Sequence, residues 1–284
     1  MGTAVKYNVM RKYVALLPIL AVGVAGCKKA APTVFIKAMS LYMNDYDGQG
    51  YQHSFNILSA SPNQRPTVSF NNRTVPDDRI SSGFGDYFGW DTLPAVSPNT
   101  DVEMKVTYYN VNEEKKEASS RVKLPSEPSG MSLSVKGGEI NLSWGKPDKK
   151  TTDFIYAGLN VQCVDNSYNS QYAAWDTVIT DLENTTSLTK TLGSLCNEIG
   201  DVAYAFVYAT LINMKGPWSG SKDNVKGAKG QYYGGAGKGD TTSYLPTKAT
   251  VKAPSLPKVN WGERVLKATE RYFGMPADEG EWIR

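Results

Sequence analysis

MSLSVKGGEINLSW, residues 131–144, contains two short runs in which large apolar residues alternate with polar ones. Side chains alternate between the two faces of a β-strand, so each run places three apolar groups on one face. Gly137-Gly138 between the runs is typical of a turn. The stretch therefore predicts two strands that each bury one face. Its apolar members are Met131, Leu133, Val135, Ile140, Leu142 and Trp144.

Further strand-like runs lie on both sides of this stretch, separated by clusters of Pro, Asn, Asp and Gly. Short β-runs at such spacing are typical of a sandwich or barrel. The glycine-rich segment 227–240 is interpreted as a loop. We therefore predict an all-β protein. The runs are 33–43, 54–60, 67–70, 102–109, 118–124, 156–164, 173–179, 185–192 and 202–211.

A segment with two prolines, small residues and no periodicity, PSEPSG at 125–130, interrupts the series of strands. This composition is typical of a linker between domains. We predict two β-sandwich domains, 33–125 and 131–252, joined by a linker at 126–130. Residues 253–284 are expected to form an extended connector and a C-terminal helix.

The predicted C-terminal helix begins after Asn260, which can act as an N-cap with Glu263 in a capping box. Gly274 and Pro276 end it. Its apolar face either packs on the preceding domain or docks to a partner, and both interpretations remain open. The apolar residues are Trp261, Val265, Leu266, Ala268, Tyr272 and Phe273.

The N-terminus has the pattern of a secretory signal peptide over residues 1–26. Three basic residues and no acidic one are followed by an apolar run over 14–24 and then by small residues. That run is shorter than the roughly 20 residues of a membrane-spanning helix. Met10 is an alternative start. Removing the three basic residues leaves 28 basic and 28 acidic residues, a balance that gives no reason to expect nucleic-acid binding.

Val24-Ala25-Gly26-Cys27 resembles the bacterial lipobox. The resemblance implies cleavage before Cys27, acylation of that cysteine with chains such as palmitate, and a membrane anchor. Residues 27–32 would then be a tether. In that family an Asp directly after the cysteine retains the protein at the inner membrane. Lys28 stands there instead, so the resemblance implies the outer membrane or cell surface rather than the inner membrane.

Trp144 with Pro147 resembles the core tryptophan region of fibronectin type III domains. The run 204–209 followed by Gly216-Pro217-Trp218-Ser219 resembles that family's sixth strand and the next turn, and 96–106 is similar to a second motif of the family. The resemblance implies fibronectin-like or other immunoglobulin-like sandwiches. It would also place Cys163 and Cys196 at one pole of the second sandwich.

Cys163 and Cys196 are the only cysteines left once Cys27 is lipidated. Outside the cytoplasm such a pair can form a disulfide. Two buried free thiols are the alternative.

Catalytic chemistry finds little support in the sequence. The single histidine, His53, is expected to be a core or solvated residue rather than a base, and one histidine leaves no zinc site. We therefore expect no enzyme activity and no cofactor. Asp45 and Asp47, in the segment 44–50, are a weak candidate for calcium binding, and a polar hairpin turn is the alternative.

Two groups of aromatic residues lie in segments that are interpreted as loops. Exposed rings can stack on sugars or anchor a protein partner, whereas rings folded over the core would have neither role. We predict a lipid-anchored, non-enzymatic binding or scaffolding module for a glycan or an envelope protein. The alternative is a structural or accessory component of an envelope complex for secretion, motility or polysaccharide processing. The aromatic residues are Phe84, Tyr87, Phe88, Trp90, Tyr168, Tyr172 and Trp175.

Overall fold

The computed structural model describes residues 33–45, 48–199, 201–217, 223–245 and 260–273, without the side chain of Tyr272. The predicted signal peptide, Cys27 and the tether lie outside the described residues. Most of the predicted connector lies outside them as well. The described residues from Val34 onward form one unit by their contacts.

The described residues form fifteen strands, two α-helices and one turn of 3-10 helix at Asp77–Arg79, which confirms the predicted all-β fold with a short C-terminal helix. No helix among them is long and apolar enough to cross a membrane. Before residue 131 the strands are β1 Phe35–Asp45, β2 Gly48–Leu58, β3 Thr67–Phe70, β4 Arg73–Thr74, β5 Ile80–Gly83, β6 Asp86–Asp91, β7 Asp101–Tyr109 and β8 Lys115–Lys123. After it lie β9 Ser132–Lys136, β10 Glu139–Ser143, β11 Phe154–Asp165, β12 Ser170–Ile179, β13 Ser187–Thr191, α1 Leu192–Leu195, β14 Val202–Lys215, β15 Lys229–Tyr244 and α2 Trp261–Phe273.

The strands form one eight-stranded sheet and two smaller sheets. The large sheet has the order β12-β11-β14-β15-β1-β2-β6-β5, and the small sheets have the orders β4-β3-β7-β8 and β13-β10-β9. One core lies between β1, β2, β15 and the four-stranded sheet. A second core lies between β11, β14 and the three-stranded sheet. Two sandwiches therefore share one large sheet.

The strands at the centre of the large sheet come from distant parts of the chain. β1 pairs in parallel with β15, with Phe35 opposite Lys229, and β15 pairs antiparallel with β14. Hydrogen bonds thus join β1, before the predicted linker, to β15, after it. Residues 126–130 contain neither helix nor strand and lie between β8 and β9. The domain boundaries stay a prediction.

The glycine-rich segment that was predicted to be a loop is mostly the central strand β15, so that prediction is wrong. Glycine is needed there because the neighbouring strands fill the space beside it. A Cβ on Gly235 would lie 2.8 Å from both Leu41 Cδ1 and Met214 Sδ. A Cβ on Gly230 would collide with the carbonyl oxygen of Ile36. The local composition is typical of a turn, whereas the close approach of the neighbouring strands explains why glycine occurs within a strand here.

Helix α2 covers the face of the large sheet opposite the two small sheets. The Glu263 amide donates to Asn260 Oδ1 at 3.0 Å, so the predicted N-cap is present. The apolar side chains of α2 are buried in a third core with residues of β1, β11 and β14. This surface is consequently not free to dock to a partner, and the packing interpretation is correct. The buried helix residues are Trp261, Val265, Leu266 and Ala268.

Candidate binding groove

Three of the aromatic residues that were assigned to a loop lie in strand β6, where they alternate between its faces. Tyr87 points into the first core, and its hydroxyl donates to the Ser61 carbonyl at 2.6 Å. Phe88 and Trp90 point to the other face and are 43% and 48% exposed. Tyr87 is therefore a core residue and is removed from the predicted ligand-binding set, because its ring is not accessible.

Phe88 and Trp90 form part of the floor of a groove between the edge of the large sheet and α2. Phe88 lies between Asn56 of β2 and Ser81 of β5, and Trp90 pairs with Ser54 of β2. The groove has a volume of about 530 Å³. Its floor thus carries two rings flanked by hydroxyl and amide groups.

The opposite wall of the groove is a stripe along α2. Its residues recur at helical spacing, so they lie on one side of the helix. None of them was predicted to belong to a site, since the capping pattern indicated only where the helix begins. The wall residues are Asn260, Glu263, Leu266, Lys267 and Glu270.

A buried lysine holds this wall against the sheet. Lys37 of β1 lies under α2, with its Nζ 3.3 Å from a Glu270 carboxylate oxygen and 3.4 Å from the Leu266 carbonyl oxygen, to which it donates. Burial lowers the pKa of Lys37 to about 8, although the Glu270 carboxylate acts in the opposite direction. Glu270 therefore lines the groove and at the same time forms an ion pair with the buried Lys37.

Two arginines fix α2 to the far part of the sheet. Arg264 donates to Asn160 Oδ1 at 2.6 Å, and Arg271 donates to Asp176 Oδ1 at 2.8 Å. At the helix start, the Gly262 amide donates to Gln52 Oε1 at 3.0 Å. With contacts at both ends, α2 forms a fixed wall rather than a loose tail.

Arg79 organises the floor of the groove. Its guanidinium donates to Asp91 Oδ1 at 2.6 Å and lies 5.5 Å from the centre of the Trp90 ring. The same carboxylate oxygen accepts the backbone amide of Thr92 at 2.7 Å. The buried Asp91 thus fixes Arg79, and the cation–π contact orients Trp90.

The other predicted aromatic residues lie away from this groove. Phe84 is fully exposed at the turn between β5 and β6. Tyr168 and Tyr172 are exposed at the β11–β12 hairpin, and β12 is the opposite edge of the large sheet from β5. Trp175 packs against the second core, with Lys190 Nζ 4.4 Å from its ring centre. The two aromatic groups are therefore not brought together.

His53 is fully buried in the first core, where it belongs to a chain of hydrogen bonds. Its Nε2 is 2.8 Å from the Pro94 carbonyl, so this nitrogen must carry the proton. Its Nδ1 then accepts from Ser40 Oγ at 2.7 Å, and the Tyr232 hydroxyl donates to Ser40 at 2.6 Å. Burial lowers the pKa of His53, which favours this neutral form. The residue stabilises the core and has no access to a substrate.

The weak calcium candidate is divided between described and undescribed residues. Asp45 ends β1, and its Oδ2 accepts from the Tyr208 hydroxyl at 3.4 Å, whereas Asp47 lies outside the described residues. Within the described part of the chain, no group of three or more His, Cys, Asp or Glu residues could hold a metal ion.

Cys163 and Cys196 form a disulfide with a Cα–Cα distance of 6.2 Å. Cys163 lies near the end of β11, and Cys196 lies between α1 and β14. Both residues are buried at one end of the second core. The bond connects the large sheet to the segment that follows the three-stranded sheet.

Comparison with known proteins gives little further information. No family model matches the chain, and no curated protein matches it. One solved structure that matches is a two fibronectin type-III domain segment from chicken tenascin, at 11% identity. The match covers 68% of this chain and 91% of that chain, with a TM-score of 0.21. These values are too low to support an argument, and the fold assignment depends on the sheets described above.

Proposed function

We propose that this chain is a lipid-anchored, non-enzymatic protein of a bacterial cell envelope and that it binds a saccharide in the groove between β6 and α2. The observation that carries the binding proposal is the pair of half-exposed rings, Phe88 and Trp90, on the groove floor. Both rings lie on one face of one strand, two residues apart, so both line the groove from the same side.

The chemistry of the groove suits a saccharide. The C–H faces of a sugar ring are apolar and stack on aromatic rings, whereas its hydroxyl groups need hydrogen-bond partners. Asn56 and Ser81 flank Phe88, and Asn260 lies on the α2 wall. A volume of about 530 Å³ falls within the usual range for small-molecule sites.

Mutation of the floor tests this proposal. The protein from residue 28 onward is screened on a glycan array, and saccharides that bind are measured by isothermal titration calorimetry. Trp90→Ala should weaken binding by about tenfold, which corresponds to about 1.4 kcal/mol. Tyr172→Ala is the matched control, because it removes an exposed ring at the opposite edge of the sheet. Equal affinities of both variants and the parent protein would contradict the proposed site.

The anchor is supported by the resemblance of Val24-Ala25-Gly26-Cys27 to a lipobox. Labelling with radioactive palmitate, with Cys27→Ala as the control, tests it directly. We expect label that requires Cys27 and digestion of the protein when intact cells are treated with protease. Label without digestion would indicate a location inside the envelope and would favour a component of an envelope complex. Absence of label would contradict the anchor.

A further inference from the structure

The charged groups of the groove are arranged in pairs. Arg79 is held by Asp91 at 2.6 Å, and Lys267 is held by Glu263 at 2.6 Å. Of the other charged lining residues, Glu270 is held by Lys37 and Asp78 is a carboxylate. Both cations that line the groove therefore already have a carboxylate partner.

An anionic ligand would have to compete with these internal partners. Asp91 is buried, and its Oδ1 also accepts the Thr92 amide, so it cannot rotate away from Arg79 without losing several contacts. Removing Arg79 from Asp91 would leave a buried carboxylate without its counter-charge, which is strongly unfavourable. Glu263, Glu270 and Asp78 would in addition repel the ligand.

The uncharged polar groups of the floor are better placed to meet a ligand. Ser54 pairs with Trp90 at the floor, but its Oγ is fully buried and therefore not accessible to a ligand. Asn56 and Ser81 lie beside Phe88 on the same face. Hydroxyl and amide groups pair with sugar hydroxyls without either partner carrying a charge.

We infer that the groove selects uncharged saccharides over saccharides that carry carboxylate, sulfate or phosphate groups. This inference rests on the proposed saccharide binding and specifies its ligand class. The two rings supply stacking for either class, and the paired charges exclude the acidic one. Arg79 is then a positioning residue for Trp90 rather than an anion-binding residue.

The experiment compares neutral and acidic oligosaccharides of equal length on the chain from residue 28 onward. Calorimetry is carried out with gluco-, manno- and xylo-hexaoses, and with hexagalacturonate and a heparin hexasaccharide, in 20 mM and 300 mM NaCl. We expect a neutral hexaose to bind at least tenfold more tightly than either acidic one at both salt concentrations. Its affinity should change less than twofold with salt, since no ion pair with the ligand is screened.

A charge variant provides an independent measure. Glu263→Gln releases Lys267 but keeps a capping side chain, so the ratio of acidic to neutral affinity should rise at least threefold. Glu139→Gln makes the same charge change at an exposed position of β10 and should leave this ratio unchanged. Binding of acidic saccharides alone would overturn the inference and leave saccharide binding intact. Binding of neither class, including on the array, would remove the proposed function and the inference with it.

Discussion

At the scale of single residues, Lys37 is a buried cation that helps to set the position of the groove wall. Its side chain is only 2% exposed and has one carboxylate partner, Glu270. The pKa of Lys37 is lowered to about 8 from 10.5, so the loss of hydration outweighs the attraction of Glu270. The charged form is consequently less stable in the folded protein than in the unfolded chain.

This lowered pKa predicts an unusual pH dependence. Between about pH 8 and 10.5 the unfolded chain keeps the Lys37 proton while the folded protein loses it. Stability therefore rises with pH across this window through Lys37, by about 3 kcal/mol in total. Lys37→Met should raise the free energy of unfolding at pH 7 and remove this part of the pH dependence.

Urea unfolding of the two proteins at pH 7.5, 8.5 and 9.5 measures the effect. The difference between Lys37→Met and the parent should shrink as pH rises. Lys267→Met is the control, because it makes the same substitution at a lysine whose ammonium group is exposed. A constant difference for Lys37→Met would contradict the buried-cation explanation.

The aromatic residues of β6 show what could be predicted of the site. Phe88 and Trp90 were predicted as possible ligand-binding aromatics together with Tyr87, and the alternation of a strand separates them from Tyr87. Gly and Asp in this segment concealed the strand, so Tyr87 was grouped with its neighbours. The opposite wall could not be predicted, because its residues lie roughly 170 positions away in the sequence and meet β6 only through the tertiary fold.

At the scale of elements, α2 was predictable and β15 was not. The helix has a local capping pattern and a regular apolar face, both of which are encoded within about 14 residues. β15 lacks the usual alternation of large apolar and polar residues, because glycine occupies positions where the side chains of neighbouring strands fill the space. Glycine composition predicts a turn when it is considered locally. Only the packing of Leu41 and Met214 shows why a strand requires it.

Gly235→Ala tests this explanation of β15. The new methyl group would lie 2.8 Å from both Leu41 Cδ1 and Met214 Sδ, so we expect a loss of about 1–3 kcal/mol in the free energy of unfolding. Gly50→Ala in β2 is the control, because its Cβ would have no neighbour within 4 Å. Chemical denaturation should show the control unchanged or slightly more stable. Equal effects would indicate that β15 is loosely packed.

The disulfide connects Cys163 and Cys196, which are 33 residues apart in the sequence. Closing a loop of that length in the unfolded chain should stabilise the protein by about 3–4 kcal/mol. We expect Cys163→Ala with Cys196→Ala to lower the free energy of unfolding by that amount and to keep the fold. Alkylation of the denatured, unreduced parent should leave both thiols unmodified. Modification of both would contradict the bond.

At the scale of the whole molecule, the large sheet determines how the two sandwiches are connected. Each small sheet packs on its own part of the large sheet, and β15 contributes Tyr232 and Ala236 to the first core while it pairs with β14 of the second. Helix α2 adds a third core that draws on both parts. Unfolding either sandwich alone would therefore break the pairing of β1 with β15 and expose the helix-facing core.

We expect the two halves to unfold in one transition despite the linker-like composition of residues 126–130. Differential scanning calorimetry should give one peak with equal calorimetric and van't Hoff enthalpies. Met104→Ala weakens the first core and Leu142→Ala the second, and each should lower the temperature of that same peak. Two peaks, with each variant shifting only one of them, would show that β1 and β15 pair too weakly to couple the sandwiches. One peak that moves with both variants would show that the shared sheet, rather than the two predicted domains, is the unit of folding.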